Sequence, residues 1–382
     1  MNFELSDEQR TLQQTARKFI QQSCSAGTAK EWDETYTYPE KFLRDIAAMG
    51  WNSIAFPEEE GGGGGGPIEL TILAEELGRA SFDVAMCFIV NLIATTTLAK
   101  FATDEQRATV LPDFTSGRKR MSISISEPDA GSDVKALSLR AEDKGDHFVL
   151  TGQKMWCTGA GLPNTIIGIY VRTEGHRGDR GGISLLMLDP SSEGVELRQI
   201  PTLARHVMGT YEVYLDGVVV PKSSLIGELH NGWDVLMSSL EIERVLLSGG
   251  YVGAAQATVD EALSYAKQRR QFGNRIGDFQ AIAHTLANLQ TDVDAARLLA
   301  YRAAWLLAAG RPCSREGSMA KLFGSETYVR AAREGMQVWG GYGFSTESIM
   351  SFRYRESIVA TISGGTSQIQ RNGIARSMGL KP

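Results

Sequence analysis

The chain has 382 residues, 42% of them hydrophobic and 22% charged, with a formal net charge of −6. That length predicts two or three domains and that composition an ordinary globular core. The acidic balance argues against a nucleic-acid partner, which would call for a basic face.

No run of 18 or more apolar residues is present, so no membrane partner is expected. The first eight residues are polar and acidic, unlike a leader peptide, and a cytoplasmic location is expected. Cys24, Cys87, Cys157 and Cys313 are far apart with no CxxC, which predicts free thiols and no zinc. The five histidines are scattered, so no metal site is expected.

In chain order, Ser6 caps a predicted helix over residues 7–21. Further helical periodicity covers 38–49, 68–78 and 84–101. Gly61 to Gly66 interrupt it and read as a surface loop; no Lys-Ser/Thr follows, so a P-loop is not expected. From Met121 the period becomes two. Strands are predicted at 121–126, 147–151, 165–172, 182–189, 195–200 and 211–220, forming a compact barrel or sandwich. From Gly232 the helical period returns over 232–269, 276–309 and 313–339, as in a helical bundle. The expected architecture is α+β and multidomain: an N-terminal α domain (1–118), a middle β domain (119–228) and a C-terminal α-helical bundle (229–382).

The chemistry-bearing residues follow the same order. Residues 126–133, Ser-Glu-Pro-Asp-Ala-Gly-Ser-Asp, form a turn after a strand. Such a turn exposes N–H groups and hydroxyls to a polar ring edge or a phosphate; a solvated hairpin fits equally. Trp156 and Thr158 are two apart on an extended segment and so share a side, which suits stacking on a flat cofactor or a core tryptophan. Leu236, Leu240, Glu243 and Leu247 are spaced 4, 3 and 4 apart and share one helix face, whereas Glu241 points elsewhere. A carboxylate in an apolar stripe loses hydration and becomes a better base near neutral pH; an ion pair with Arg244 is the plain alternative. Arg269 and Arg270 close a helix, where they favour its dipole or fork a pyrophosphate. The Gly-rich turns at 340–343 and 364–365 admit close backbone approach to a ligand.

Taken in order, these segments resemble the acyl-CoA dehydrogenase family over essentially the whole chain. The matches are Pro57-Glu58-Glu59, the 126–133 turn, Trp156-Cys157-Thr158, Val218-Val219-Val220-Pro221, Arg269-Arg270-Gln271-Phe272-Gly273 with Phe279-Gln280, the 337–343 segment, and Gly365-Thr366-Ser367-Gln368-Ile369-Gln370-Arg371. The resemblance implies FAD and α,β-dehydrogenation of an acyl-CoA thioester to the trans-2-enoyl-CoA, with flavin N5 as hydride acceptor. It implies flavin-ring contacts from Ser126, Trp156 and Thr158, and further FAD contacts from Ser132, Arg269, Phe272, Gln280, Gln337, Gly341, Thr366 and Gln368. Ser132, Arg244 and Gly364 match positions at the substrate. A homotetramer, an electron-transfer flavoprotein partner and a place in fatty acid metabolism also follow from it.

Most of the family carry a catalytic Glu directly before Gly-Thr, where this chain has Gly364. A minority, including isovaleryl-CoA dehydrogenase, place the base on the helix at the position of Glu243, and residues 240–244 look like theirs. Residues 206–214 resemble crotonobetainyl-CoA reductase, which also uses the helix Glu. The alternatives are an enoyl-CoA reductase or another flavin reaction on the same fold, and a non-catalytic acyl-CoA-binding flavoprotein.

Overall fold

The computed structural model describes residues 3–382. Six helices come first: α1 (Asp7–Ser23), α2 (Ala26–Glu34), α3 (Glu40–Ala48), α4 (Pro67–Ala80), α5 (Phe82–Phe101) and α6 (Asp104–Thr115). Eight strands follow: β1 (Arg120–Ser124), β2 (Arg140–Asp143), β3 (His147–Thr158), β4 (Thr165–Arg172), β5 (Ile183–Leu188), β6 (Val195–Gln199), β7 (Thr210–Pro221) and β8 (Leu225–Ile226). The rest is helical apart from a two-stranded hairpin, β9 (Arg270–Gln271) with β10 (Asn274–Arg275). Its helices are α7 (Gly232–Gln268), α8 (Gln280–Ala308), α9 (Ser314–Trp339), α10 (Gly341–Phe344), α11 (Ile349–Ile358) and α12 (Ser367–Ser377). The α, β, α order expected from periodicity is the observed one.

Local chemistry sets many boundaries. Ser6 accepts from Gln9 N at 3.2 Å while Gln9 Oε1 accepts from Ser6 N at 3.0 Å, a reciprocal cap at the start of α1. Thr103 and Gln106 repeat the device at α6. The glycine run folds back on itself: Gly62 N donates to Pro57 O and Gly65 N to Ile54 O. A Cβ at Gly62 would lie 2.1 Å from Phe56 O, so the close approach demands glycine.

The chain packs into two compact units, and the division runs through α5 and α7. One unit (35–53 and 90–240) holds the sheet. Its strand order is β6-β7-β3-β2-β4-β5-β8, with β1 parallel to β4. Residues from both arms of this path share one core: Phe148 and Leu150 with Val213, Leu215 and Val218, and Ile167, Ile169 and Leu186. A second core packs Ala94, Leu98 and Phe114 of the helices against Met121, Tyr170 and Leu185 of the strands.

The other unit (residues up to 34, 54–89 and 241–382) is helical. At its centre Arg353, with no solvent exposure, donates to Arg79 O at 2.8 Å, Ala80 O at 2.9 Å and Glu261 Oε1 at 3.0 Å. It thereby caps the carboxyl end of α4, whose last carbonyls have no helical partners. Glu356, equally buried, accepts from Tyr328 at 2.7 Å and from Ser81 Oγ. α5 is long and apolar enough to cross a bilayer, but most of it is buried inside the protein.

Arg353→Met removes the cation and strands two carbonyls and two acids. It is expected to destabilise the fold by about 3–5 kcal/mol, the cost of breaking a buried ion pair, read as a lower urea midpoint.

Candidate active site

The turn after β1 is closed by two reciprocal hydrogen bonds, Glu127 N to Ala130 O at 2.9 Å and Ala130 N to Glu127 O at 3.1 Å. The buried Glu127 carboxylate accepts from Ser138 N at 2.7 Å, Ser138 Oγ at 2.9 Å, Leu139 N at 2.9 Å and Lys154 Nζ at 2.8 Å. Lys154, which has no exposure, also donates to Ile125 O at 2.9 Å. Burial opposes ionisation of Glu127, but the Lys154 charge and the N–H donors outweigh it and hold the carboxyl below its usual range. Burial pushes Lys154 down, against the pull of Glu127. Ser126 sits half-buried beside this pair, its carbonyl held by Met155 N at 2.9 Å, and Ser132 lies exposed at the far end of the turn.

β3 is not the plain extended segment expected from sequence. Its pairing with β7 slips by one residue between Lys154 and Cys157, and Trp156 has φ +61°. A residue on such a bulge is re-aimed. Lys154 and Cys157, three apart, are therefore both buried, while Trp156 is 56% exposed and Thr158 half-buried. Trp156 is thus not a core tryptophan.

In the helical unit, Glu243 stands half-buried on α7 and Leu247 buried one turn on. Glu241 does point elsewhere: it lies against Cys313, whose thiol is pushed up to about 12 by burial and then by that carboxylate. Gly364 has φ +64°. A Cβ placed there would lie 2.5 Å from Leu247 Cδ1, 3.4 Å from Glu243 Oε1 and 3.7 Å from Lys321 Cε. The turn is held by Lys321 Nζ on Ala360 O (3.0 Å) and Gly365 O (2.8 Å), and by Gln370 Nε2 on Gly364 O (3.0 Å) and Gly365 O (3.1 Å). Thr366 caps α12, accepting from Ile369 N at 3.2 Å, and Gln368 is exposed. Arg244 is partly buried. Burial pulls its pKa down against the neighbouring Glu243 and Glu241.

At the other end of α7, Arg269 lies over the Tyr342 ring at 5.4 Å, and Tyr265 stacks on Trp339 at 4.7 Å. Ile276 N donates to Arg269 O at 2.8 Å, bringing the start of α8 and Gln280 alongside. Arg269, Gln280, Gln337 and Gly341 thus gather, all exposed, at one end of the helical unit. Phe272 is there too, 91% exposed on the hairpin. Glu243 is not: 25 residues of α7 separate it from Gln268, about 38 Å at 1.5 Å per residue.

Sequence reasoning did not find Lys154, Lys321 or Gln370. Lys321 carried a signal, since it follows Ala320 on the small, inward face that includes Gly317, Gly324 and Ala331. Glu127 and Lys154 are two charges in strand-rich stretches with no visible partner in sequence.

The family comparisons cover nearly the whole chain. Acyl-CoA dehydrogenase N-terminal, middle and C-terminal domains match residues 6–118, 122–218 and 230–379. The chain belongs to the acyl-CoA dehydrogenase family. It is an FAD-dependent oxidoreductase of the acyl-CoA dehydrogenase fold. It is 35% identical to the caffeyl-CoA reductase-Etf complex subunit CarC of Acetobacterium woodii, over 96% of this chain and 97% of that one. It is 34% identical to glutaryl-CoA dehydrogenase of Desulfococcus multivorans, over 98% and 97%. A solved glutaryl-CoA dehydrogenase in complex with glutaryl-CoA superposes with TM-score 0.95 at 32% identity, covering 100% of this chain and 98% of that one.

The residues present fit a flavin nucleotide. Large side chains such as Trp156 and Phe272 are exposed where a soluble protein would bury them. Among the described residues, Arg244 Nε and Ser367 Oγ are buried without a hydrogen-bond partner.

Glu127 has a depressed pKa in the fold, so it stabilises above the ordinary carboxylate range and that stability is lost as pH falls through it. Glu127→Gln is therefore expected to cost about 3–5 kcal/mol at neutral pH by leaving Lys154 unpaired. The gap to wild type should narrow in acid, as followed by urea unfolding across pH.

Proposed function

We propose that this chain dehydrogenates an acyl-CoA thioester to the trans-2-enoyl-CoA with Glu243 as the base. The observation that carries the reading is the 3.4 Å approach between Glu243 Oε1 and the point where a side chain at 364 would begin. By resemblance, most of the family place the base on the residue at 364. Here that residue has no side chain, and the helix carboxylate reaches the same space. Leu247 and the surrounding apolar stripe limit its hydration, which favours proton uptake.

Glu243 removes the proton from the α-carbon as the C–C double bond forms. FAD, when bound, supplies the acceptor for the β-hydrogen and its electron pair. With FAD bound, Ser126 and Thr158 would supply hydroxyls to hold the flavin ring, and Trp156 would offer its exposed indole to it. Thr366 and Gln368 contribute from the loop before α12. By resemblance, Ser132 in the sheet unit is a substrate contact, as are Arg244 and Gly364 in the helical unit.

Arg269, Phe272, Gln280, Gln337 and Gly341 are assigned to FAD held by a neighbouring copy. The resemblance supports this, and about 38 Å of helix separates them from Glu243. A homotetramer built as a dimer of dimers is proposed from the family resemblance. Electron-transfer flavoprotein is the proposed redox partner, and the cytoplasm the proposed location.

A second reading, reduction of an enoyl-CoA, is favoured by the likeness to caffeyl-CoA reductase. It uses the same residues in reverse, with Glu243 delivering the α-proton.

Glu243→Gln should retain FAD and lose about 10²–10⁴-fold in turnover, the usual worth of a positioned base. Near-normal turnover would sink the assignment. The acyl group is read by screening straight, branched, dicarboxylic and aryl acyl-CoAs for anaerobic flavin bleaching.

A further inference from the structure

We propose that Lys321 is a positioning residue for Glu243. It holds the Gly364 turn against the carboxylate, and its ammonium favours the ionised, proton-accepting form. This rests on the reading of Glu243 as base.

Lys321 has no solvent exposure, yet it is a cation on a helix face that otherwise buries small residues and Tyr328. Such a group is expensive to bury and persists where it is compensated. Its ammonium donates to Ala360 O at 3.0 Å and Gly365 O at 2.8 Å, the two ends of the segment that turns at Gly364. Gly364 and Gly365 are both in the left-handed region, at φ +64° and +82°, which glycine takes without strain; the backbone freedom they lose on ordering is offset by anchors such as these. A Cβ at Gly364 would lie 3.4 Å from Glu243 Oε1 and 3.7 Å from Lys321 Cε, with Leu247 Cδ1 nearer at 2.5 Å. The two side chains therefore both reach the same glycine.

Other charged or titratable groups here are Arg244, Glu241 and Tyr251 on α7, the last donating from its hydroxyl to Ala360 O at 3.3 Å, with Cys313 and Glu316 at the start of α9. Glu316 is occupied by Arg302 and Arg315. Glu241 is turned to Cys313, and Lys321 and Arg244 are cations placed beside Glu243.

Three variants separate anchoring from charge. Lys321→Met removes both, Lys321→Gln keeps a donor without the charge, and Gln370→Leu removes the second anchor of Gly364 O and Gly365 O without changing charge. The FAD-loaded full chain is used. Readouts are amide hydrogen exchange over residues 359–371 and the pH profile of kcat/KM, with whichever of butyryl-, isovaleryl- or glutaryl-CoA bleaches the flavin.

Lys321→Met should speed exchange over 360–366 and move the acid limb up by about one pH unit, a tenfold loss on that side. Lys321→Gln should move the limb with less effect on exchange. Gln370→Leu should speed exchange and leave the limb in place. Unchanged exchange in Lys321→Met overturns the anchoring role, and a limb that superimposes on wild type in both lysine variants overturns the charge role. Glu243→Gln distinguishes the failures: if it keeps turnover the base reading falls, and if it is inactive while the lysine variants match wild type only the Lys321 proposal falls.

Discussion

Buried cations bound to backbone carbonyls organise this protein. Lys154 gathers Ile125 O and the Glu127 carboxylate, Lys321 gathers Ala360 O and Gly365 O, and Arg353 gathers the last carbonyls of α4. Arg172, almost wholly buried, does the same for Leu137 O and Lys135 O. A loop that turns inside a protein leaves carbonyls without ladder partners, and each must be satisfied. A lysine or arginine offers several donors from one stem, so a single side chain can pin two or three turns. The desolvation cost of the cation is offset only while those acceptors stay in place, which makes each arrangement close to all-or-none.

Two of these cations lie directly under the segments assigned to chemistry. Lys154 and Glu127 lock the Ser126 turn to the start of the bulge that presents Trp156. Lys321 locks the turn that brings Gly364 to Glu243. In both places the backbone enters the left-handed region, at Trp156 and at Gly364 and Gly365. At Trp156 that conformation is strained and persists where its surroundings over-determine it, whereas the two glycines take it freely. The side chains proposed to touch ligand are thus supported by buried charges.

The general architecture was readable because its signals are local. The strand at 165–172 and the helices beginning at 7, 232 and 314 have a clear period or cap, and their observed limits lie within a residue or two of those expected. Missed elements have physical reasons. α6 contains Pro112 and little amphipathic contrast, β2 is Arg-Ala-Glu-Asp, and α11 carries Arg353 and Glu356, which look like surface residues until their partners are known. Buried ion pairs join residues far apart in the chain, Glu127 with Lys154 and Arg353 with Glu261, and no periodicity encodes them.

By itself the sequence determined the α, β, α order, the family, and the placing of Glu243 on an apolar face, because each depends on residue types at short, regular spacings. Only the tertiary structure decided that Gly364 and Glu243, 121 positions apart, meet at one point. It also decided that Trp156 leaves the core and that Lys321 and Gln370 hold the turn. Those outcomes depend on a one-residue slip in a strand pair and on which helices carry a loop past α7. Both are set by packing between distant segments, which leaves no pattern in the order of residues.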